Sequence, residues 1–374
     1  MKYDYLIVGA GFAGCVIAER IATQSGKSVM IIDRRNHIAG NAYDYYDDNG
    51  ILVHKFGPHI FHTSSKKVWD YVSNFTEWID YEHTVLAVID DKKVPVPFNL
   101  NSLYSVFSKK VAAKYEALLL EKYGYGLKIP ILKLLENNNP DLKTIAEYIY
   151  NNIFNGYTIK QWGLKPNELD FSVTSRVPVF ISHDNRYFQD NYQGIPLKGY
   201  TELFRNLLNN RNIEITLNTD YKINSSSIKY NKLIYTGPID EFFDYKFGKL
   251  PYRSLHFDFK SINREWFQEV SQVNYPNENE YTRITEFKHF HRQDSKMTTI
   301  AYEYPQEFVL GINEPYYPIQ NDDNNELFKK YKVESEKLKN TYFVGRLADY
   351  KYYNMDQIVG VALMKYEKEI ANNS

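Results

Sequence analysis

The residues best spaced for chemistry come first in the chain. Gly9-Ala10-Gly11-Phe12-Ala13-Gly14 is a Gly-x-Gly-x-x-Gly run, and Asp33 stands nineteen positions beyond its last glycine. Between a strand and a helix such a run binds the pyrophosphate of a dinucleotide. Gly9 permits the tight turn, Gly11 lets backbone N–H groups approach the phosphates at the helix N-terminus, Gly14 allows close helix-to-strand packing, and Asp33 accepts a ribose hydroxyl. Phe12 and Ala13 belong to the same turn. NAD and FAD both use this unit. Arg34, Gly40 and Asn41 decide for FAD, since many FAD enzymes place an arginine and two glycines just after the acid, where the chain passes the flavin diphosphate. Here the pair reads Ala39-Gly40, a departure from that pattern. No paired carboxylates, metal-ligand cluster or Ser/His/Asp set is visible in the sequence, so no metal is expected and the nucleophile would come from the cofactor.

These residues need a scaffold, and the pattern supplies one. Tyr5 to Val8 is a short apolar run, Val16, Ile17 and Ile21 keep helical spacing, Gly26 stops the helix, and Ser28 to Ile32 is a second strand. Leu233 to Gly237 and Tyr342 to Gly345, with Arg346 next, read as later returns of the same unit, which is therefore discontinuous. Asn49-Gly50 between Asn41 to Tyr46 and Ile51 to His54 signals a hairpin. From Ser102 to about Gly163 the texture is helical, as in Leu142, Ile145, Ala146, Ile149 and Ile153 after Asn139-Pro140. Alternation at Ile213, Ile215 and Leu217, and at Leu255, Phe257 and Phe259, predicts antiparallel strands. Helical spacing returns near Leu327, and Tyr342 to Ile370 reads strand, loop, helix.

Composition narrows the class. The 374 residues carry 45 basic and 46 acidic side chains, a net charge of −1, with Lys and Arg scattered, so no footprint for nucleic acid is expected. No apolar run approaches the length of a membrane span, and the N-terminus lacks the features of a signal peptide. The single cysteine, Cys15, excludes an internal disulfide, reads as a buried helix residue and suits a reducing cytoplasm. There are 34 Tyr and 22 Phe; such rings suit nucleobases and sugars, although most must serve packing.

Seven further blocks occur in order: Gly57-Pro58-His59-Ile60-Phe61-His62-Thr63; Gly156-Tyr157-Thr158-Ile159-Lys160-Gln161-Trp162-Gly163; Tyr192 to Pro196; Tyr235 to Asp240; Tyr281-Thr282-Arg283; Glu314 to Pro318; and Gly345-Arg346 to Tyr353. Together they resemble the UDP-galactopyranose mutases of bacterial type over nearly the whole chain. The resemblance implies an α/β fold: a discontinuous Rossmann-type FAD-binding domain with an inserted helical subdomain and a small antiparallel sheet domain, the active site between them. The expected boundaries are 1–80, 201–245 and 326–374 for the FAD domain, 81–98, 179–200 and 246–325 for the sheet domain, and 99–165 for the helices, with a mobile loop to about 178. It further implies an isomerase in which N5 of reduced FAD attacks the anomeric carbon, UDP leaves, the sugar opens as an iminium, and closure through another hydroxyl exchanges pyranose for furanose without net redox change. The product would serve a cell-surface polysaccharide. UDP-galactose is the implied substrate and UDP-N-acetylgalactosamine a further one. An external reductant such as NAD(P)H and a homodimer are implied as partners.

Residue by residue, Arg176 and Arg283 match the arginines that hold the diphosphate, where each charge-assisted hydrogen bond contributes roughly 1.5 to 3 kcal/mol. Their competing readings are a solvated loop arginine and a surface ion pair. Phe154, Tyr157 and Trp162 could stack on uracil, worth on the order of 1 to 3 kcal/mol per base, or could simply pack the helical insert against the sheet. Thr158, Tyr187, Asn274, Tyr317 and Tyr352 match substrate contacts, with core packing as the alternative for any one tyrosine. His59 and Ile60 should lie against the flavin, His59 donating to flavin or sugar with its protonation open at neutral pH, or else serving structure alone. Arg346, Tyr353, Asn354, Met355, Asp356 and Gln357 should close over the cofactor. Asn354 stands where several relatives have Asp, and His83 where some have Asn, both near the sugar pocket. Two rival functions remain: an FAD oxidoreductase of the amine oxidase type, which would consume an acceptor, and a nucleotide-sugar binder without turnover.

Overall fold

The computed structural model describes residues 2–170 and 178–371. Five parallel strands form the first sheet, in spatial order Ile213–Thr216, Val29–Ile32, Lys2–Val8, Lys229–Tyr235 and Thr341–Phe343. Val29–Ile32 is buried at every position, as a strand covered on both faces requires. Helix Phe12–Gln24 crosses over the sheet and shares its core with helix Met355–Lys365: Cys15, Ile17 and Ile21 pack in one cluster with Val359, Ala362 and Leu363. The last turn of Phe12–Gln24 closes on Ser25, and Gly26 then takes φ +63°. One expectation changes here. The Ile213 and Ile215 alternation is a strand, but a parallel one on the edge of this sheet, and Leu217 lies past its end. Period two reports one buried face and carries no information on the direction of the partner.

The second sheet has seven strands, in order Tyr317–Pro318, Tyr252–Ile262, Thr298–Glu307, Arg283–Glu286, Gln272–Asn274, Val85–Ile89 and Lys92–Val96. All neighbours are antiparallel except Gln272–Asn274 beside Val85–Ile89. Asp90 and Asp91, at φ +47° and +61°, make the two-residue turn that joins the last pair. A smaller antiparallel sheet holds Phe61–Thr63, Tyr192–Pro196 and Trp78–Asp80.

Helices Leu100–Val106, Lys109–Tyr123, Ile131–Leu135 and Pro140–Ile149 pack on the Val85–Ile89 and Lys92–Val96 hairpin through one apolar cluster. Asn139 caps Pro140–Ile149: its side-chain oxygen accepts from the N–H groups of Asp141 and Leu142 at 3.0 and 3.2 Å, and Pro140 takes the first helical position. The chain then passes through a π turn, Tyr150–Asn155, into helix Gly156–Trp162. The hairpin near Asn49-Gly50 forms, but its strands are shorter than expected, Asp44–Tyr46 and Leu52–His54, because Gly40–Ala42 is a 3-10 turn. Of the Asn-Gly pair only Gly50 is left-handed, at φ +72°, and its N–H donates to the Asp47 carbonyl at 2.9 Å. The turn is thus a type I turn closed by a left-handed glycine, tied by the Asp47 carboxylate to the N–H groups of Asn49 and Ile51.

Candidate functional site

Two connected hollows run between these layers. The first is a groove across the C-terminal ends of the parallel strands, where open α/β sheets bind ligands. Gly9, Gly11, Phe12, Ala13, Asp33, Arg34, Gly40 and Asn41 line it, facing Tyr235, Thr236, Gly345 and Arg346. At Gly9 and Gly40 no side chain fits. At Gly9, φ +106°, an added Cβ would lie 2.0 Å from Thr236 Oγ1; at Gly40 it would lie 2.9 Å from the Gly11 Cα. Gly14 does not line the groove. Its added Cβ would meet the Gly9 carbonyl at 2.1 Å, so its part is the close packing of helix on strand. Asp33 is fixed by the Ala10 and Arg35 N–H groups, which donate to its two oxygens at 2.8 Å each. Each oxygen keeps a lone pair for a ribose hydroxyl. Arg34 and Arg35 both donate to the Glu314 carboxylate, at 2.8 and 3.1 Å, closing the groove from the opposite side.

The second hollow is a cavity of about 1190 Å³ that meets the groove at Asn41, His59, Tyr316, Arg346, Tyr353 and Met355. Sheet register builds its floor. Ala87, Asn274, Arg283, Glu303 and Phe257 stand directly opposite one another across five strands, so their side chains share one face. Ala87, Asn274 and Arg283 reach the cavity. Glu303 lies beneath it, 1% exposed, and Gly57 passes so close that an added Cβ would be 3.4 Å from its carboxylate. Two Arg283 nitrogens, Nε and Nη2, converge on one Glu303 oxygen at 2.7 and 2.6 Å, while Nη1 is 3.4 Å from Gln272 Oε1. Burial works against the arginine's charge, but the adjoining carboxylate outweighs it and holds its pKa above the ordinary value.

The π turn and the helix after it form one wall. Phe154, Tyr157, Thr158, Gln161 and Trp162 all line the cavity, and Trp162 packs with Tyr317 and Tyr352, ring centroids 5.9 and 5.8 Å away. Such a π insertion re-aims successive side chains by one register step and recurs at functional sites. The helix ends at Gly163, φ +69°, where Arg253 donates to the carbonyls of Gln161 and Lys160 at 3.0 and 3.2 Å. Arg346 rests on the rings of Tyr317 and Tyr352, 5.5 and 5.3 Å from their centroids, and donates to the Tyr353 carbonyl at 2.7 Å. Tyr187 sits beside His83, whose carbonyl accepts its N–H at 2.7 Å.

Protonation is more definite than sequence allowed. Nδ1 of His59 is 2.8 Å from the Gly57 carbonyl and so carries the proton, leaving Nε2 an acceptor rather than the expected donor. Burial, with Arg346 and Arg283 adding to it against the Gly57 hydrogen bond, pushes its pKa down to about 4. His83 is pushed down to about 3 by burial and Arg283. Burial raises the Tyr157 and Tyr317 hydroxyls, so both stay protonated donors at neutral pH. Asn354 opens helix Met355–Lys365, its N–H bonded to Gln357 Oε1 at 2.9 Å. Asn354, Met355, Gln357 and Ile60 line the cavity, whereas Asp356 lines neither hollow. Arg176 lies outside the described residues, as does the core of the expected mobile loop. Sequence reading passed over Gln272, Glu303, Arg253 and the His62–Asp190 pair; the available signal for Glu303 was a lone carboxylate inside the strand-forming run Thr298 to Tyr304.

Among the described residues no helix is long and apolar enough to cross a membrane, and no group of three or more His, Cys, Asp or Glu side chains is placed to hold a metal ion. A family model described as UDP-galactopyranose mutase matches residues 152–352, and one described as an NAD(P)-binding Rossmann-like domain matches residues 7–75. A probable UDP-galactopyranose mutase of Klebsiella pneumoniae is 38% identical, covering 96% of this chain and 93% of that one. A dTDP-fucopyranose mutase of Escherichia coli is 35% identical, covering 98% of each. The crystal structure of a reduced UDP-galactopyranose mutase shares the fold, with a TM-score of 0.73 at 15% identity over 100% of this chain and 95% of that one.

Proposed function

The chain belongs to the UDP-galactopyranose mutase family, and from that membership we propose that it interconverts UDP-galactopyranose and UDP-galactofuranose with FAD held in the groove, the flavin working in its reduced state without net redox change. The observation that carries this reading is the junction of the two hollows. A groove kept open by glycines that a Cβ would fill leads into a cavity floored by Arg283 and walled by aromatic rings. Gly9, Gly11, Asp33 and Gly40 would hold the adenosine diphosphate half, and His59, Arg346, Tyr353 and Met355, which border both hollows, would hold the ring system. Bound and reduced, the flavin would supply the nucleophile.

The protein's own work is binding and charge. Arg283, oriented by Glu303, neutralises the departing diphosphate, and Arg176 is proposed as its second cation. The hydroxyls of Tyr157 and Tyr317 donate to the same oxygens, with Tyr187 and Tyr352 beside them. Phe154, Tyr157 and Trp162 would take the base between flat faces. Thr158, Asn274 and His83 border the space left for the sugar. His59, neutral, accepts from a flavin or sugar donor. An external reductant such as NAD(P)H would be needed only to prime the flavin. UDP-N-acetylgalactosamine is proposed as a further substrate. The 35% identity to a dTDP-fucopyranose mutase makes dTDP-fucopyranose the second substrate to try.

Chromatography of UDP-galactofuranose incubated with the purified yellow protein, with and without dithionite, tests this directly. Conversion to the pyranose form only after reduction is expected. No conversion of this sugar, in protein shown to contain reducible FAD, would overturn the substrate assignment, and turnover of the other two sugar nucleotides would then replace it. Oxidised sugar together with a consumed acceptor would point to the amine oxidase type instead.

A further inference from the structure

Exchanging one sugar ring for the other requires a proton to move. When the bond from C1 to the ring oxygen breaks, its electron pair stays on that oxygen, which needs a proton; the hydroxyl that closes the other ring must lose one as it bonds to C1. One group that gives and then recovers a proton satisfies both demands, provided it changes charge near neutral pH. Most of the cavity's groups cannot. Arginine keeps its proton. Tyr157 and Tyr317 are raised by burial, and His59 and His83 are pushed down to about 4 and 3, with no carboxylate among the described residues bonded to either.

His62 differs from the other two histidines. It lies mid-strand in Phe61–Thr63, whose flanking residues are both buried, so alternation turns His62 to the cavity. Nδ1 is 2.8 Å from Asp190 Oδ2, and Ser64 Oγ donates to the other Asp190 oxygen at 3.0 Å. Gln193, paired with His62 across the strands, holds the Asp190 loop by donating to the carbonyls of Phe188 and Asp190 at 3.1 and 3.2 Å. The imidazole lies flat on Phe188, centroids 3.6 Å apart at 12°. Nε2 has no protein partner among the described residues. His83 stands 5.9 Å from Phe188, between ring centroids, and Lys128 borders the same cavity; helix Met355–Lys365 brings uncharged Gly360, Val361 and Met364. The hydrogen bond from His62 lowers the Asp190 carboxyl, with Lys128 adding to it.

Building on the mutase reading, we propose that His62, oriented by Asp190, is the proton carrier of the ring interconversion. The imidazolium gives its Nε2 proton to the ring oxygen as that oxygen leaves C1. The neutral Nε2 then takes the proton of the hydroxyl whose oxygen bonds to C1. The enzyme's proton count is restored each turnover, and the reverse reaction uses the same exchange. Asp190 fixes the tautomer and offsets the positive charge.

The test uses the holoenzyme with His62→Gln and Asp190→Asn. Turnover should fall about 10²-fold or more in His62→Gln, with the flavin spectrum and the UDP dissociation constant unchanged. Because the cycle starts from imidazolium, turnover should fall as pH rises. Asp190→Asn, which removes the charge that favours imidazolium, should move that alkaline limb to lower pH by about one unit or more. The imidazole NMR titration of His62 in the oxidised enzyme without substrate should move the same way. Near-normal turnover in His62→Gln overturns the proposal. So does a pH profile that stays put in Asp190→Asn while the NMR titration shifts. If His62→Gln does not fold, Asp190→Asn and its NMR titration decide alone. A wild-type enzyme that converts none of the three sugar nucleotides fails the mutase reading instead.

Discussion

In the dinucleotide groove most of what matters is backbone, held open by side chains that are missing; in the cavity beside it the working parts are side chains, delivered by strands and helices far apart in sequence. Gly9 to Asn41 supply most of one wall of the groove, whereas the cavity draws on residues from Asn41 to Met364. The difference has an energetic side. A groove made of absent atoms fails when an atom is added, because backbone cannot step aside. A cavity floored by a buried ion pair fails when an atom is removed, because the partner's charge is left without compensation. Substitutions at the two places should therefore separate cofactor binding from turnover.

Gly14→Ala should have the largest effect on activity. Its Cβ would sit 2.1 Å from the Gly9 carbonyl and 3.0 Å from Ile7 Cγ2, so helix Phe12–Gln24 must move off the strand it packs against. Overpacking of this kind costs roughly 1 to 3 kcal/mol or more, and here it also displaces the N–H groups that would meet the pyrophosphate. The purified protein should lack flavin absorbance and turnover together. A yellow, active Gly14→Ala enzyme would break the distinction between the two hollows at its clearest point.

Arg283→Ala should do the reverse, keeping the flavin while turnover falls by about 10²-fold, the scale of one lost charge-assisted contact to the leaving group. It should also destabilise the fold by about 3 to 5 kcal/mol, since Glu303 would remain buried and unpaired. Adding Glu303→Gln to Arg283→Met should return much of the stability and none of the turnover, as urea denaturation and assay of the reduced enzyme would show. Recovery of both would reduce the pair to a structural brace.

The same contrast governs what could be read in the sequence. The glycine run, Asp33 and the strand-helix-strand around them are local, and the contacts of Gly14 with Gly9 and of Gly40 with Gly11 stay within that segment, so the groove was legible residue by residue. Asn139-Pro140 opened a helix for equally local reasons. Asn274, Arg283 and Glu303 are neighbours only through register; a sequence states alternation but not which strand lies alongside, which is also why Ile213 and Ile215 were given the wrong direction. Arg283 was found through family likeness, while Glu303, in no shared block, was missed. The donor and acceptor sides of His59 depended on the Gly57 carbonyl, which only the folded loop brings within 2.8 Å.

Ala39 provides the smallest and most discriminating comparison. It stands where a second glycine is common, and it adopts φ +74° with its methyl buried at 1% exposure. A left-handed alanine costs about 1 to 2 kcal/mol. Ala39→Gly removes that strain but gives up about 0.8 kcal/mol of methyl burial and about 0.4 to 1 kcal/mol through the freer unfolded chain. These terms nearly cancel, so the unfolding free energy should change by less than about 1 kcal/mol, with flavin content unchanged. If the groove is a matter of backbone, deleting this side chain is harmless. A loss above about 3 kcal/mol, or a colourless protein, would mean that the methyl buttresses Gly40 against Gly11, and that even this wall depends on side-chain packing.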